Sequence, residues 1–254
     1  MCRMKERAWW WWPYQLWKWL VVGPVAVVAT LVGSTLVLVL SPFVDPSTLS
    51  RVIAGNWARI VAWITPMVVR VEGRENIDPA TSYVIVSNHQ SQFDILVLYG
   101  WLGVDFRWVM KQELRSVVGL GAACAAMGHI YIDRSDHQAA IDSINAAKEK
   151  ITNGTSVIFF PEGTRSDDGR LRFFKKGAFR FAIDAGLPLL PVTVDGTCEV
   201  LPARRHDLRP GRVRLVIHEP VPTAGLETRD LPRLTEQVRR TIGLALPGRC
   251  ASAE

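Results

Sequence analysis

The chain has 254 residues, 48% of them hydrophobic, enough for one domain of ordinary size plus an extra element. A formal charge of +6 and an isoelectric point near 9.4 point to an anionic partner, phosphate or lipid headgroup. Zinc-finger spacing, a helix-turn-helix pattern and the aromatic strand motif of an RNA-binding sheet are all missing, which excludes the usual nucleic-acid readers.

Taken in chain order, the first feature is a tryptophan-rich basic segment. Arg3, Lys5, Arg7 and Lys18 stand with Trp9, Trp10, Trp11 and Trp12 ahead of an uncharged run from Trp19 to Val44. That run exceeds the ~20 residues a helix needs to cross a bilayer. Basic residues and tryptophans beside an apolar run suit a membrane–water interface. The run is too long for a cleaved leader and lacks an A-x-A site. Residues 46–69 follow with Leu49, Val52, Ile53, Trp57, Ile60, Val61, Ile64 and Val68 at helical spacing, and Arg51 and Arg59 on the other face. The reading is a second helix that lies in the interface or packs on a soluble domain. Gly23-Pro24, Gly33 and Ser41-Pro42 offer bends, so residues 19–69 are expected to form a hairpin that returns to its starting side.

After Glu72 short apolar runs alternate with helical stretches. The strands are expected at YVIV (83–86), FRWVM (106–110), HIYI (129–132), SVIFF (156–160), LLPVTV (189–194) and RVRLVI (212–217). Helices are expected over 92–101, 137–151, 176–186 and 230–245. This alternation predicts an α/β fold, a largely parallel sheet covered by helices, preceded by an N-terminal membrane-associated helical hairpin. The division is residues 1–69 for the anchor and 70–254 for the functional domain.

In such sheets functional groups collect where strands end and loops begin. Three polar clusters take that position: Asn88 to Asp94 in SNHQSQFDIL, Asp133-Arg134 closing GHIYIDR, and FPEGTRS over 160–166. His89 is the plausible base among them, and Asp94, five residues on, can fix its tautomer. No GxSxG elbow is present and no cysteine lies nearby in sequence, so the activated nucleophile belongs to a substrate. Gly163 and Thr164 leave room for exposed main-chain N–H groups. Arg165 suits bidentate phosphate binding and Arg134 offers a second cation. Glu162 reads as a carboxylate that orders its turn. Cys2, Cys124, Cys198 and Cys250 are scattered without a CxxC pair, which fits a reducing compartment and argues against a disulfide or zinc site.

NHQSQFD, GHIYIDR, FPEGTRS and LPLLPVTV, in this order, resemble the four sequence blocks of the glycerolipid acyltransferase family, in particular its 1-acyl-sn-glycerol-3-phosphate acyltransferases. The resemblance covers about residues 70–220 and implies the glycerolphosphate acyltransferase-like fold. It implies transfer of a fatty acyl group from an acyl thioester, acyl-CoA or acyl carrier protein, to the sn-2 hydroxyl of lysophosphatidic acid. His89 is then the general base and Asp94 its orienter. Arg134, Glu162, Gly163, Thr164 and Arg165 would bind the glycerol phosphate, with Lys111 of KQEL a further phosphate ligand. No metal or bound cofactor is expected. The expected partners are the bilayer, the lysophospholipid and the thioester donor, and the expected location is the cytoplasmic face of the inner membrane. One segment departs from the pattern: RSVVGLGAACAAM over 115–127 replaces the family's Pro and bulky aromatics. A different lysolipid acceptor, a thioesterase, or a catalytically silent lipid-binding protein are the alternative readings.

Overall fold

The computed structural model describes residues 11–133, 146, 148, 151, 153–166, 169–203 and 207–246. Its sheet is built around Val84–Ser87 (β2), a central strand paired on both edges and buried along its whole length because a core covers each of its faces. Six further strands are described: β1 (Met67–Glu72), β3 (Phe106–Lys111), β4 (Ile130–Ile132), β5 (Ser156–Phe159), β6 (Leu189–Asp195) and β7 (Gly211–Ile217). The order is β1-β7-β6-β2-β5-β3-β4. From β6 to β4 all neighbours are parallel, β7 runs antiparallel to β6, and β1 is parallel to β7. The expected largely parallel α/β sheet is therefore the observed fold.

Side-chain alternation assigns the two faces. Ile85, Ile158, Leu190 and Val192 point into one core, and Val84, Val86, Val157 and Phe159 into the other. The second core is closed by Gly177–Ala185 and by Leu231–Ala245, whose Leu231, Leu234, Val238 and Ile242 recur at helical spacing and are buried. The first core takes Phe93–Trp101 and, unexpectedly for an anchor, Ala58, Val61 and Ala62 from the N-terminal region.

That region is a helical hairpin. Helix α1 (Trp12–Leu40) runs unbroken through a wide π-type stretch, Lys18–Val22, just before Pro24, which has no N–H to give. The chain turns at residues 41–45, where Asp45 caps the next helix by accepting the Thr48 N–H at 2.9 Å. It returns through α2 (Gly55–Ile64). The Trp57 indole donates to Thr30 Oγ1 at 3.0 Å and the Trp17 indole to the Ile64 carbonyl at 2.9 Å, so the arms are antiparallel. The bend falls at Ser41-Pro42, whereas Gly33 lies inside the helix, where a Cβ would sit 3.8 Å from Ile53.

Two sequence expectations need correction. The helix expected over 46–69 ends at Ile64, and Met67–Glu72 is an edge strand, so the 69/70 boundary falls inside β1. The residue before Pro66 is pushed out of helical geometry, and MVVRVE then alternates as a strand does. The helix expected over 137–151 lies, but for residues 146, 148 and 151, outside the described residues.

The helices used below are α3 (Phe93–Trp101), α4 (Leu120–Ala126), α5 (Gly177–Ala185), α6 (Thr197–Val200) and α7 (Leu231–Ala245).

Candidate active site

Parallel pairing of β6, β2 and β5 brings their carboxyl ends to one edge, and three loops meet there. The loop leaving β2 is anchored by Asn88, whose side chain pairs with the main chain of Val194 through two 2.8 Å hydrogen bonds. Ser91 adds a bond from Oγ to the Leu201 carbonyl at 2.7 Å and accepts the Phe93 N–H at 3.1 Å. The loop is thus tied to β6 and to the chain beyond α6 before any functional group is considered.

His89 and Asp94 meet on this frame. His89 Nδ1 lies 2.8 Å from Asp94 Oδ2, which also accepts the Gln90 and Ser91 N–H groups at 2.7 and 2.9 Å. The Thr197 hydroxyl at the start of α6 donates to Oδ1. Asp94 is fully buried and every partner is a donor, the complement of an acceptor-only carboxylate. With Nδ1 committed to that carboxylate, its hydrogen sits there and the lone pair is left on Nε2. The His89 side chain is 16% exposed, so Nε2 is open to a ligand. Phe160 stacks on the imidazole at 3.9 Å and 11°, and Trp108 stacks on Phe160 at 5.4 Å. The ring is therefore held by a hydrogen bond at its edge and an aromatic floor beneath it.

The loop leaving β5 supplies the second half. Glu162 is 6% exposed; Oε1 accepts the His89 N–H at 2.8 Å and Oε2 the Arg172 N–H at 3.0 Å. Burial pushes its carboxyl above the ordinary carboxylate value, against the pull of those two bonds. Its oxygens are thus engaged with the main chain, and it ties the β2 loop to the segment before α5. The Ser166 N–H donates to the His89 carbonyl at 2.8 Å, a second tie between the same loops. Gly163 has φ +75°, a left-handed conformation that favours glycine, and a Cβ there would stand 3.1 Å from Lys175 Nζ. Thr164 is exposed and accepts from Arg172 Nη1 at 3.1 Å, and Arg165 is half-buried beside it. Cations gather on this loop.

Of the other residues singled out in the sequence, Lys111 closes β3 with its ammonium exposed, 3.5 Å from Glu113. Arg134 lies outside the described residues. Four further residues contribute that the sequence reading did not single out: Thr197, Phe160, Arg172 and Lys175. Phe160 was within reach, since it opens FPEGTRS. Thr197 stands 103 positions from Asp94, and no local spacing signals that contact. Among the described residues no group of His, Cys, Asp and Glu side chains is arranged to hold a metal ion.

The acyltransferase family model matches residues 68–195, half of the chain, and all of the loops just described except the segment holding Thr197. The chain belongs to the acyltransferase family. It is 37% identical over 198 residues to the chloroplastic 1-acyl-sn-glycerol-3-phosphate acyltransferase of Arabidopsis thaliana, covering 77% of this chain and 54% of that one. It is 31% identical over 219 residues to the 1-acyl-sn-glycerol-3-phosphate acyltransferase of Pseudomonas aeruginosa, covering 84% of each. The chain thus spans about half the length of the plant relative and most of the bacterial one. The crystal structure of the 1-acyl-sn-glycerophosphate acyltransferase of Thermotoga maritima superposes with a TM-score of 0.76 at 30% identity, over 89% of this chain and 91% of that one. The fold is therefore shared across nearly the whole length of a solved relative.

Proposed function

We propose that this acyltransferase moves a fatty acyl group from an acyl thioester to the free sn-2 hydroxyl of 1-acyl-glycerol-3-phosphate, giving phosphatidic acid for phospholipid synthesis. The observation that carries the reading is the open His89 Nε2, backed by Asp94 and set beside a cationic loop. Its relatives' names supply the acceptor. Nε2 takes the proton of the acceptor hydroxyl as its oxygen attacks the thioester carbonyl carbon. The tetrahedral intermediate collapses with loss of the C–S bond, and the imidazolium returns the proton to the departing thiolate. Asp94 stabilises the imidazolium in between. The acceptor hydroxyl takes the part of a triad serine, and the step balances with no resident cofactor.

Arg165, Lys111 and Lys175, together with Arg134, are the cations we assign to the acceptor's phosphate. Gly163 and Thr164 shape the turn beneath it, and Glu162 acts as a brace. Val118 and Phe173, 95% and 91% exposed on loops at this edge, offer apolar surface to an acyl chain. The donor is acyl-CoA or acyl carrier protein. The N-terminal helices through Ile64 serve as membrane anchor and the chain from β1 onward as the acyltransferase domain, on the cytoplasmic face where acyl thioesters are made.

The test is incubation of the purified full-length chain with labelled acyl-CoA or acyl carrier protein and a panel of lysolipids. The expected result is a labelled diacyl product, highest with lysophosphatidic acid and lost in His89→Ala by roughly 10²–10⁴-fold. Thioester loss without a diacyl product would convert the reading to a hydrolase. Product with another lysolipid alone would transfer it to that acceptor.

A further inference from the structure

Helix α3 begins at the candidate active site with Asp94 and ends at the opposite edge of the sheet, where Trp101 and Gly103 lead into β3. There a cavity of about 360 Å³ opens between the end of α3 and the returning arm of the hairpin. Arg51 and Arg59 line it from the returning arm of the hairpin and Arg74 from the turn after β1, with Ser50, Trp101 and Phe106, and no carboxylate is among its lining residues. Arg59 Nε donates to the Gly100 carbonyl and Arg74 Nη2 to the Trp101 carbonyl, each at 2.9 Å. These bonds satisfy the open carbonyls of the α3 terminus and fix two guanidinium groups while leaving further N–H donors on each. None of the three arginines forms an ion pair with a described carboxylate. Gly103, at φ +82°, makes room for this arrangement, since a Cβ there would stand 2.8 Å from Arg74 Nη1.

Helix-end capping accounts for one donor on Arg59 and one on Arg74; it does not account for Arg51, nor for gathering three cations without an acid. We propose that this cavity is a second phosphate site, distinct from the acceptor site at His89, occupied by the headgroup phosphate of an anionic phospholipid. Planar guanidinium forks suit a phosphate, and fixing them in advance lowers the ordering cost of binding. The lipid source is favoured by position. Ser50 and Arg51 belong to the hairpin, the adjoining Val52 is 53% exposed, and α1 of the same hairpin carries an apolar outer face. A lipid whose headgroup entered the cavity would keep its chains along that face.

The proposal goes beyond the acyl-transfer reading and is separable from it. The full-length chain is placed in nanodiscs of phosphatidylcholine with and without phosphatidylglycerol, and lipids retained on release are counted by native mass spectrometry. In a second arm, inorganic phosphate is titrated into the detergent-solubilised chain. The expected result is one retained phosphatidylglycerol in wild type, in His89→Ala and in Arg165→Ala. Its occupancy should fall about ten-fold or more in Arg51→Gln and Arg74→Gln, as loss of a charge-assisted bond implies. Arg51→Gln is the cleaner variant, because Arg51 caps no helix and its loss should leave thermal unfolding in lipid-free detergent unchanged. Binding of inorganic phosphate that vanishes in Arg51→Gln would support the same site with a soluble ligand. Retention unaffected by either arginine, or lost in Arg165→Ala, overturns the proposal.

Discussion

At the scale of single residues, the two carboxylates of the site respond oppositely to the same change. Asp94 Oδ2 receives His89, Gln90 and Ser91, and Oδ1 receives only the Thr197 hydroxyl. An amide fits that pattern: its oxygen keeps the three N–H donors, and its NH2 faces a hydroxyl able to turn and accept. Asp94→Asn should therefore unfold within a few degrees of wild type yet lose roughly 10²–10⁴-fold in kcat, because only the charge opposite the imidazolium is gone. Glu162→Gln has no such escape. Each Glu162 oxygen accepts a main-chain N–H, so an amide must set a donor against a donor. The expected cost is about 1–3 kcal/mol of unfolding free energy, read by denaturant titration, with kcat falling as the His89 loop shifts. A Glu162→Gln chain as stable as wild type would show that the brace does not exist. Arg165→Ala should raise the KM for the acceptor far more than that for the donor, and Arg165→Lys should restore only part of it. Equal effects on both substrates would make Arg165 structural.

At the scale of elements, β3, β4 and α3 share a buried polar contact that chemistry at His89 does not use. His129, two residues into GHIYIDR, accepts the Trp108 N–H on Nδ1 at 3.3 Å, so Nε2 carries the hydrogen and donates to Tyr99. Burial first, and Arg107 second, depress its pKa from 6.5 to about 3. Between those values the unfolded chain binds the proton and the folded chain does not. Stability contributed by neutral His129 is thus complete above about pH 6.5 and drains away as pH falls towards 3, by about 1.4 kcal/mol per unit. His129→Gln, compared with wild type by urea unfolding at pH 7 and pH 4.5, should flatten the difference between the two. The elements themselves were largely legible. YVIV, SVIFF and LLPVTV are continuous apolar runs because both faces of a central parallel strand are covered. β1 is hidden in the sequence because Val68 continues the helical period of residues 49–64, and only Pro66 marks the end of the helix before it. At the site, His89, Asp94 and the FPEGTRS loop could be read because they sit at strand ends within short motifs. Thr197 could not, because its contact with Asp94 is made by the folding of a segment 103 positions away, and Arg172 and Lys175 could not, because they lie beyond the motif in a loop whose path back to it no spacing signals.

At the scale of the whole molecule, the question is how a helix long enough to cross a bilayer can also be packed along a folded domain. Helix α1 has 29 residues, about 43 Å at 1.5 Å per residue, against a hydrocarbon core of about 30 Å. Its outward side is apolar and exposed, with Leu20, Val28, Leu31 and Val39 more than half accessible. Its inward side is attached to the domain along most of its length. Trp17 reaches Ile64, Thr30 meets Trp57, and Val37 shares a buried cluster with Leu49, Ala123 and Cys124. A perpendicular crossing would carry α2 and α4 into the hydrocarbon with it, and with α2 the Arg59 on its surface. Lying α1 along the interface, outward side down, buries the apolar side and leaves the sheet in water, which is the geometry expected of a helix with one lipid-facing side. The hairpin tip then returns to the side from which the chain started. Phe43, 84% exposed at that tip, provides the test. With Cys2, Cys124, Cys198 and Cys250 replaced, Phe43→Cys should resist a membrane-impermeant thiol reagent on intact cells and react once the cells are opened. Labelling of intact cells would mean that α1 crosses the bilayer, and the attachment of its inward side to the domain would have to break for it to do so.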